Sequence, residues 1–168
     1  DVVSQKCEVV NIDEYFNSNV TDIFNNKYLT PRSPYTTLQL PVQGIGEWCH
    51  PNLTAEINDS GMRNATQNNI LKNNLGIDFR TPKQGKNIVF TSLWDNYPNA
   101  VDIKLSGKAT NAYLMMAGST NHMQSHIANG IVTVHYKDGS SVEVELINPD
   151  NWCPIEQDFF VDSVAFSL

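Results

Sequence analysis

Two polar stretches of this sequence carry the side chains best suited to bind a ligand. The first holds two aromatic rings, Trp94 and Tyr97, with Asp95 and Asn96 between them. Aromatic rings exposed on loops stack on the apolar C–H faces of sugars, while carboxylates and amides hydrogen-bond the hydroxyls. The second stretch, residues 121–124, adds the amides of Asn121 and Gln124 and the imidazole of His122. The predicted carbohydrate site therefore comprises seven residues, Trp94, Asp95, Asn96, Tyr97, Asn121, His122 and Gln124.

The alternative for the first stretch is structural. In that interpretation Trp94 closes the end of a β-sandwich, and Asp95 and Asn96 cap the turn. For the other two tryptophans, Trp48 and Trp152, core packing is the preferred prediction.

Metal chemistry has weaker signals. His122 and His126 stand four apart, the zinc-binding spacing of a helix, but Met123 occupies the position of the catalytic glutamate and the segment reads as a loop. Calcium is the alternative left open, through Asp59 or Asp95, because it takes carboxylate and carbonyl oxygens. No cofactor is predicted, and no catalytic metal.

A glycosidase would need two carboxylates flanking the scissile bond. The candidates are Glu47, Asp59, Asp95, Glu156 and Asp158, and none of them sits in a distinctive motif. Turn and capping roles are therefore preferred for these carboxylates. No nucleophile elbow, phosphate-binding loop or dinucleotide fingerprint occurs, so catalysis by this chain alone is not predicted.

A β-hairpin around Asp138 and Gly139 is the strongest structural signal. Both legs alternate with period two, so each presents one apolar and one polar face. A two-residue loop would place Glu143 on the apolar face, opposite Val134. A three-residue loop, a type I turn with Gly139 left-handed in a bulge, instead pairs Val134 with Val142. We predict this register and a buried valine face, comprising Val132, Val134, Tyr136, Val142, Val144 and Leu146.

Other short apolar runs predict further strands, seven to nine in all, and no amphipathic helix. The clearest are residues 87–93, 101–105 and the continuous run 112–117; weaker ones are 6–10, 35–40, 53–57, 77–79 and 161–166. The predicted fold is therefore an all-β antiparallel sandwich. Residues 1–47 form a loop-rich, Pro-spaced N-terminal arm that packs on the sandwich or a neighbouring domain, and residues 48–168 form the sandwich.

Composition and net charge limit the classes of partner that this chain is expected to bind. The chain has 168 residues, a net charge of −7 and a pI near 4.9, which disfavour nucleic acid and anionic membranes. No apolar run is long enough to predict membrane insertion. The chain opens on Asp1, from which a processed or excised form is expected. Three cysteines, Cys7, Cys49 and Cys153, allow one disulfide with a free thiol, or three thiols.

Four long motifs resemble the C-terminal module of an uncharacterised family of large secreted proteins from polysaccharide-degrading bacteria, which carry glycoside-hydrolase-like domains. The motifs are SPYTTLQLPVQGIGEWCHP, INDSGMR, NIVFTSLWDNYPNAVDIKLSGKATNAYLMMAGSTN and NPDNWCPIEQDFF, within residues 30–162. The resemblance implies a jelly-roll sandwich similar to galactose-binding domains.

It also implies a periplasmic or extracellular location and a larger parent protein with other domains as partners. The expected function is a non-catalytic, glycan-binding accessory module. The alternatives are a structural domain that braces a catalytic domain and, less favoured, a small glycoside hydrolase.

Overall fold

A computed structural model describes residues 7–23, 40–41, 51–52, 58–72, 75–92, 97–118 and 126–152. The chain divides into two compact units, each formed by two segments. The first comprises Asp1–Thr37 and Thr54–Met115, and the second Leu38–Leu53 and Met116–Leu168. The predicted division at residue 47 stays a prediction.

The described part of the chain is mostly non-helical, with short antiparallel strands in three two-stranded sheets. Strand β1 (Leu40–Pro41) pairs with β2 (Pro51–Asn52), and β3 (Ile70–Leu71) with β4 (Phe79–Arg80). The longest pair is β5 (Ala128–His135) with β6 (Ser141–Ile147). This is compatible with an all-β chain. The jelly-roll arrangement of such strands remains a prediction.

The first unit is held by its N-terminal segment. Two 3-10 turns, Asp13–Tyr15 and Val20–Asp22, flank a backbone bridge between Ser18 and Ile88. The Lys104 N–H also donates to the Tyr15 hydroxyl at 3.0 Å. Residues 12–20 are therefore an integral part of this unit.

A short helix, α1 (Ser60–Ala65), follows Asp59. Asn, Asp, Ser and Gly, which follow one another over residues 58–61, are typical turn residues. Here Asn58 accepts the Ser60 N–H at 3.0 Å, so the turn chemistry is present but leads into a helix.

Polar residues occupy the interior of the first unit. Thr66, Thr81 and Asn87 are only 2–3 % exposed, whereas Ile23, at 9 %, is the single buried hydrophobic residue among those described. The Thr66 hydroxyl donates to Met62 O at 2.9 Å, and the Thr81 N–H donates to Asn69 O at 3.0 Å. Hydrogen bonds therefore satisfy these buried groups, as buried polar groups require.

The hairpin of the second unit confirms the predicted register. Val134 lies opposite Val142, and Val132 opposite Val144. The Gly139 N–H donates to Tyr136 O at 3.0 Å and closes the predicted turn, and Gly139 has a φ of 89°. This left-handed backbone conformation suits glycine, because the Cβ of any other residue makes the conformation costly.

The predicted burial of the valine face is wrong for this structure. Val134, Tyr136, Val142 and Val144 are 42–52 % exposed, while Val132 and Leu146 are half-buried. The alternation correctly assigned side chains to faces, but a face is buried only if another layer covers it. No described strand lies on this one.

Several predicted strands are absent from the described residues. The run 112–117 forms no strand, and Tyr113, Leu114, Met115 and Met116 are exposed, so the buried strand predicted there is wrong. Residues 101–105 and 7–10 also form no strand, and 87–92 contribute only the Ile88 bridge. An apolar run becomes a strand only when a partner supplies its backbone hydrogen bonds. The predicted strands at 35–39, 53–57 and 161–166 lie outside the described residues.

Candidate ligand-binding segments

The seven predicted site residues belong to two different units of the chain. Residues 94–97 belong to the first unit, and Asn121, His122 and Gln124 to the second. Of the seven site residues, Tyr97 is described; the other six, Trp94, Asp95, Asn96, Asn121, His122 and Gln124, lie outside the described residues. The described contacts therefore lie at the ends of each segment: residues 92 and 98 for the first, and residues 118 and 126 for the second.

The ends of the first segment are joined. The Ser92 N–H donates to Pro98 O at 2.9 Å, across residues 93–97. Tyr97 packs edge-on against Phe90, with ring centroids 4.6 Å apart and planes at 84°. Such edge-to-face pairs are worth roughly 0.5–1.5 kcal/mol beyond the area they bury. Tyr97 is half-buried, so part of its surface still faces solvent.

Asn17 fixes the backbone beneath this aromatic pair. Its Nδ2 donates to Phe90 O at 2.8 Å, and its Oδ1 accepts the Phe90 N–H at 2.8 Å. The side-chain amide thus satisfies both backbone groups of Phe90, as a neighbouring strand would. Sequence reasoning missed this contact, because an asparagine 73 residues away in an Asn-rich chain gives no pairing signal.

Asp59, a candidate calcium ligand and catalytic carboxylate, is occupied by other partners. Its Oδ2 accepts from Arg63 Nε at 2.7 Å and from Asn87 Nδ2 at 2.8 Å. Arg63 also donates to Gly85 O at 3.0 Å. A guanidinium at this oxygen disfavours a bound cation and holds the carboxylate as a structural anchor. The other four candidate carboxylates, Glu47, Asp95, Glu156 and Asp158, lie outside the described residues.

The turn after β6 contacts both ends of the second segment. The His126 N–H donates to the carbonyl of Asn148, which is 6 % exposed, at 2.8 Å. At the other end the Trp152 ring lies so close to Gly118 that a Cβ there would collide with it. Core packing was predicted for Trp152, and the ring is half-buried. The predicted His122–His126 metal pair involves a residue outside the described set.

Asn151 stabilises this turn from within. Its Oδ1 accepts the Ile147 N–H at 2.8 Å, and its Nδ2 donates to Glu145 O at 2.8 Å. The Trp152 N–H also donates to Ile147 O at 3.2 Å, so the residue that packs on Gly118 is hydrogen-bonded to the end of β6.

Two carboxylates have shifted titration. Arg80 donates from Nε to Asp13 Oδ1 at 2.8 Å and from a second nitrogen to Oδ2, and this hydrogen bonding lowers the pKa of Asp13. The hydroxyl and N–H of Ser140 donate to Asp138 Oδ1 at 2.6 and 2.9 Å and lower the pKa of Asp138. Both groups stabilise local structure.

Within the described ranges, no three His, Cys, Asp or Glu side chains cluster as metal ligands would. No helix in those ranges is long and apolar enough to cross a membrane. Cys7 is an exposed free thiol, while Cys49 and Cys153 lie outside the described residues.

Comparison with known proteins adds no further assignment. The sequence matches no protein-family model, no curated protein and no solved structure at a significant level.

Proposed function

We propose that this chain is a non-catalytic glycan-binding module of a larger carbohydrate-active protein. The joined base of the Trp94–Tyr97 segment is the observation that carries this proposal. Ser92 and Pro98 are hydrogen-bonded at 2.9 Å, and Tyr97 rests edge-on against Phe90. The proposal includes a jelly-roll sandwich similar to galactose-binding domains and a periplasmic or extracellular location.

Fixed ends favour a binding segment, because ordering a loop on binding costs free energy. A side chain immobilised on binding costs about 0.5–1.5 kcal/mol, which a preorganised segment avoids. The Asn17 amide and the Phe90 ring restrict Tyr97 before any ligand arrives. Preorganisation of this kind suits weak, hydroxyl-rich ligands such as sugars.

In the proposed complex, Trp94 and Tyr97 stack on sugar rings. Asp95 and Asn96 hydrogen-bond the hydroxyls there, and Asn121, His122 and Gln124 are proposed separately as hydroxyl-binding residues of the second unit. No ion is required for these contacts, although calcium at Asp95 would add a ligand for vicinal hydroxyls. The parent protein is proposed to be a glycoside hydrolase that this module targets to its polymer.

Removal of the Trp94 ring tests the proposal. Trp94→Ala is expected to abolish glycan binding while the melting temperature stays nearly unchanged, because a ring that stacks on a sugar must lie outside the core and so contributes little to folding. Trp94→Phe, which keeps an aromatic face, is expected to retain partial binding. Affinity electrophoresis in a polysaccharide gel measures the first quantity and thermal unfolding the second. A large fall in melting temperature for Trp94→Ala would identify Trp94 as a core residue and contradict the proposal.

A further inference from the structure

The turn of the β5–β6 hairpin contains a backbone link that is chemically prone to rearrange. Asp138 is followed by Gly139, the one Asp–Gly pair in the sequence. In such a pair the glycine nitrogen can attack the aspartate carboxyl carbon, because glycine has no side chain to obstruct a close approach. We propose that Asp138 is a site of spontaneous conversion to isoaspartate, and that the Ser140 hydroxyl suppresses this conversion in the folded protein.

The reaction needs no reagent other than water. A bond forms between the Gly139 nitrogen and Asp138 Cγ, the C–OH bond of the carboxyl group breaks, and the amide proton leaves with the hydroxyl as water. The product is a five-membered succinimide ring. Water then adds to either ring carbonyl and opens the ring. One opening restores aspartate, and the other leaves the main chain running through Cγ, which is isoaspartate.

Ser140 keeps the carboxyl group of Asp138 in its less reactive form. The Ser140 hydroxyl and N–H donate to Asp138 Oδ1 at 2.6 and 2.9 Å. Both hydrogen bonds favour the ionised carboxylate and so lower the pKa of Asp138. An amide nitrogen attacks the protonated carboxyl group, because the carboxylate is a poor electrophile and has no hydroxyl to release. The two bonds also fix the direction of the side chain.

The attacking nitrogen is engaged as well. The Gly139 N–H donates to Tyr136 O at 3.0 Å, and the Tyr136 N–H donates to Ser140 O at 2.8 Å. Attack requires the Gly139 nitrogen to lose its proton and approach Cγ, which breaks the first of these bonds. Hydrogen bonds of the folded turn therefore restrain both reacting groups, and the Ser140 hydroxyl is the side-chain donor among them.

Conversion would alter the hairpin itself. Isoaspartate adds one methylene carbon to the main chain at position 138, and loop length determines the register of a hairpin. The pairing of Val134 with Val142 goes with the present loop. Suppression of the reaction by Ser140 therefore preserves the register of β5 and β6.

Rates of isoaspartate formation in the folded chain test the proposal. Ser140→Ala removes the hydroxyl and keeps the N–H bond. Ser141→Ala is the matched control at the next position, opposite His135. Each protein is incubated at neutral pH below its melting temperature, and isoaspartate at position 138 is quantified by electron-transfer mass spectrometry. Wild type in urea gives the rate without the folded turn.

Asn129 supplies an internal reference for opening of the hairpin. It precedes Gly130 within β5, so the same kind of attack deamidates it when the strand opens. Its deamidation is measured in the same samples. A substitution that acts only on the Asp138 carboxyl group leaves this second rate unchanged.

Ser140→Ala is expected to form isoaspartate about two- to tenfold faster than wild type, as the loss of one hydrogen bond implies. Ser141→Ala is expected to match wild type, and Ser140→Thr, which restores a hydroxyl, to return toward its rate. Unfolding in urea is expected to accelerate the reaction in wild type.

An unchanged rate at Asp138 in Ser140→Ala would overturn the proposal, and so would the absence of isoaspartate in wild type in urea. A parallel rise at Asn129 would also overturn it, because the substitution would then have opened the hairpin. Failure of Ser140→Thr to slow the reaction would show that the hydroxyl is not the protecting group. None of these outcomes depends on whether a glycan binds.

Discussion

Asn17 gives the sharpest test of how the first ligand-binding segment is supported. Asn17→Ala removes the two 2.8 Å hydrogen bonds to the Phe90 backbone and leaves a part-buried N–H and carbonyl without their partner. The substitution leaves the charge of the protein unchanged. The effect therefore reports on this one contact between distant parts of the chain.

The size of the effect follows from the two bonds. Each contributes about 1 kcal/mol net, and leaving a buried polar group unsatisfied costs about 1–3 kcal/mol. Because the site is only partly buried, water takes up some of the lost bonding. We expect a loss of about 2 kcal/mol in the free energy of unfolding, or about 4–8 °C in melting temperature for a chain of this size.

Urea denaturation followed by tryptophan fluorescence measures this loss. Asn19→Ala is the matched control, since the Asn19 amide bonds only the exposed Asp22 carboxylate, at 2.9 Å. Its expected effect is within about 0.5 kcal/mol. If Asn17→Ala were no more destabilising than Asn19→Ala, the Asn17–Phe90 contact would not stabilise the protein and the reasoning would fail.

Further predictions concern the hairpin turn and the ion pair. Gly139→Ala is expected to destabilise the protein by about 1–2 kcal/mol, because its φ of 89° disfavours a Cβ. Gly61→Ala in α1, where a Cβ meets no atom within 4 Å, is expected to stabilise it by about 0.5–1 kcal/mol. Equal effects of the two substitutions in thermal unfolding would contradict this prediction. The Arg80 contact lowers the folded pKa of Asp13, so its contribution is complete above the unfolded pKa, near 3.9, and is lost as the pH falls through the lower folded value. Unfolding of Asp13→Asn is accordingly expected to depend less on pH below about 4 than wild type, and identical slopes would count against the ion pair.

The hairpin was predictable from sequence because its determinants are local. Period two, the identity of Gly139 and the need to keep Glu143 off the valine face fixed both the turn and the register. Its exposure was not predictable, since alternation identifies which side chains share a face and not what lies over that face.

The contacts that stabilise the first unit were not predictable for a different reason. Asn17 reaches Phe90 across 73 residues, and Asn87 reaches Asp59 across 28. Single side-chain amides leave no periodic signal, and twenty asparagines offer many equivalent pairings. The run 112–117 shows the opposite error, because a continuous apolar stretch predicts burial only where partners exist.

A glycan-array screen of the isolated chain, run with calcium and again with chelator, tests the proposed function most directly. The account predicts binding to at least one class of plant, host or microbial glycan, and loss of that signal in Trp94→Ala. A signal that disappears with chelator would add calcium to the site. Absence of binding across all three classes would contradict the glycan-binding proposal.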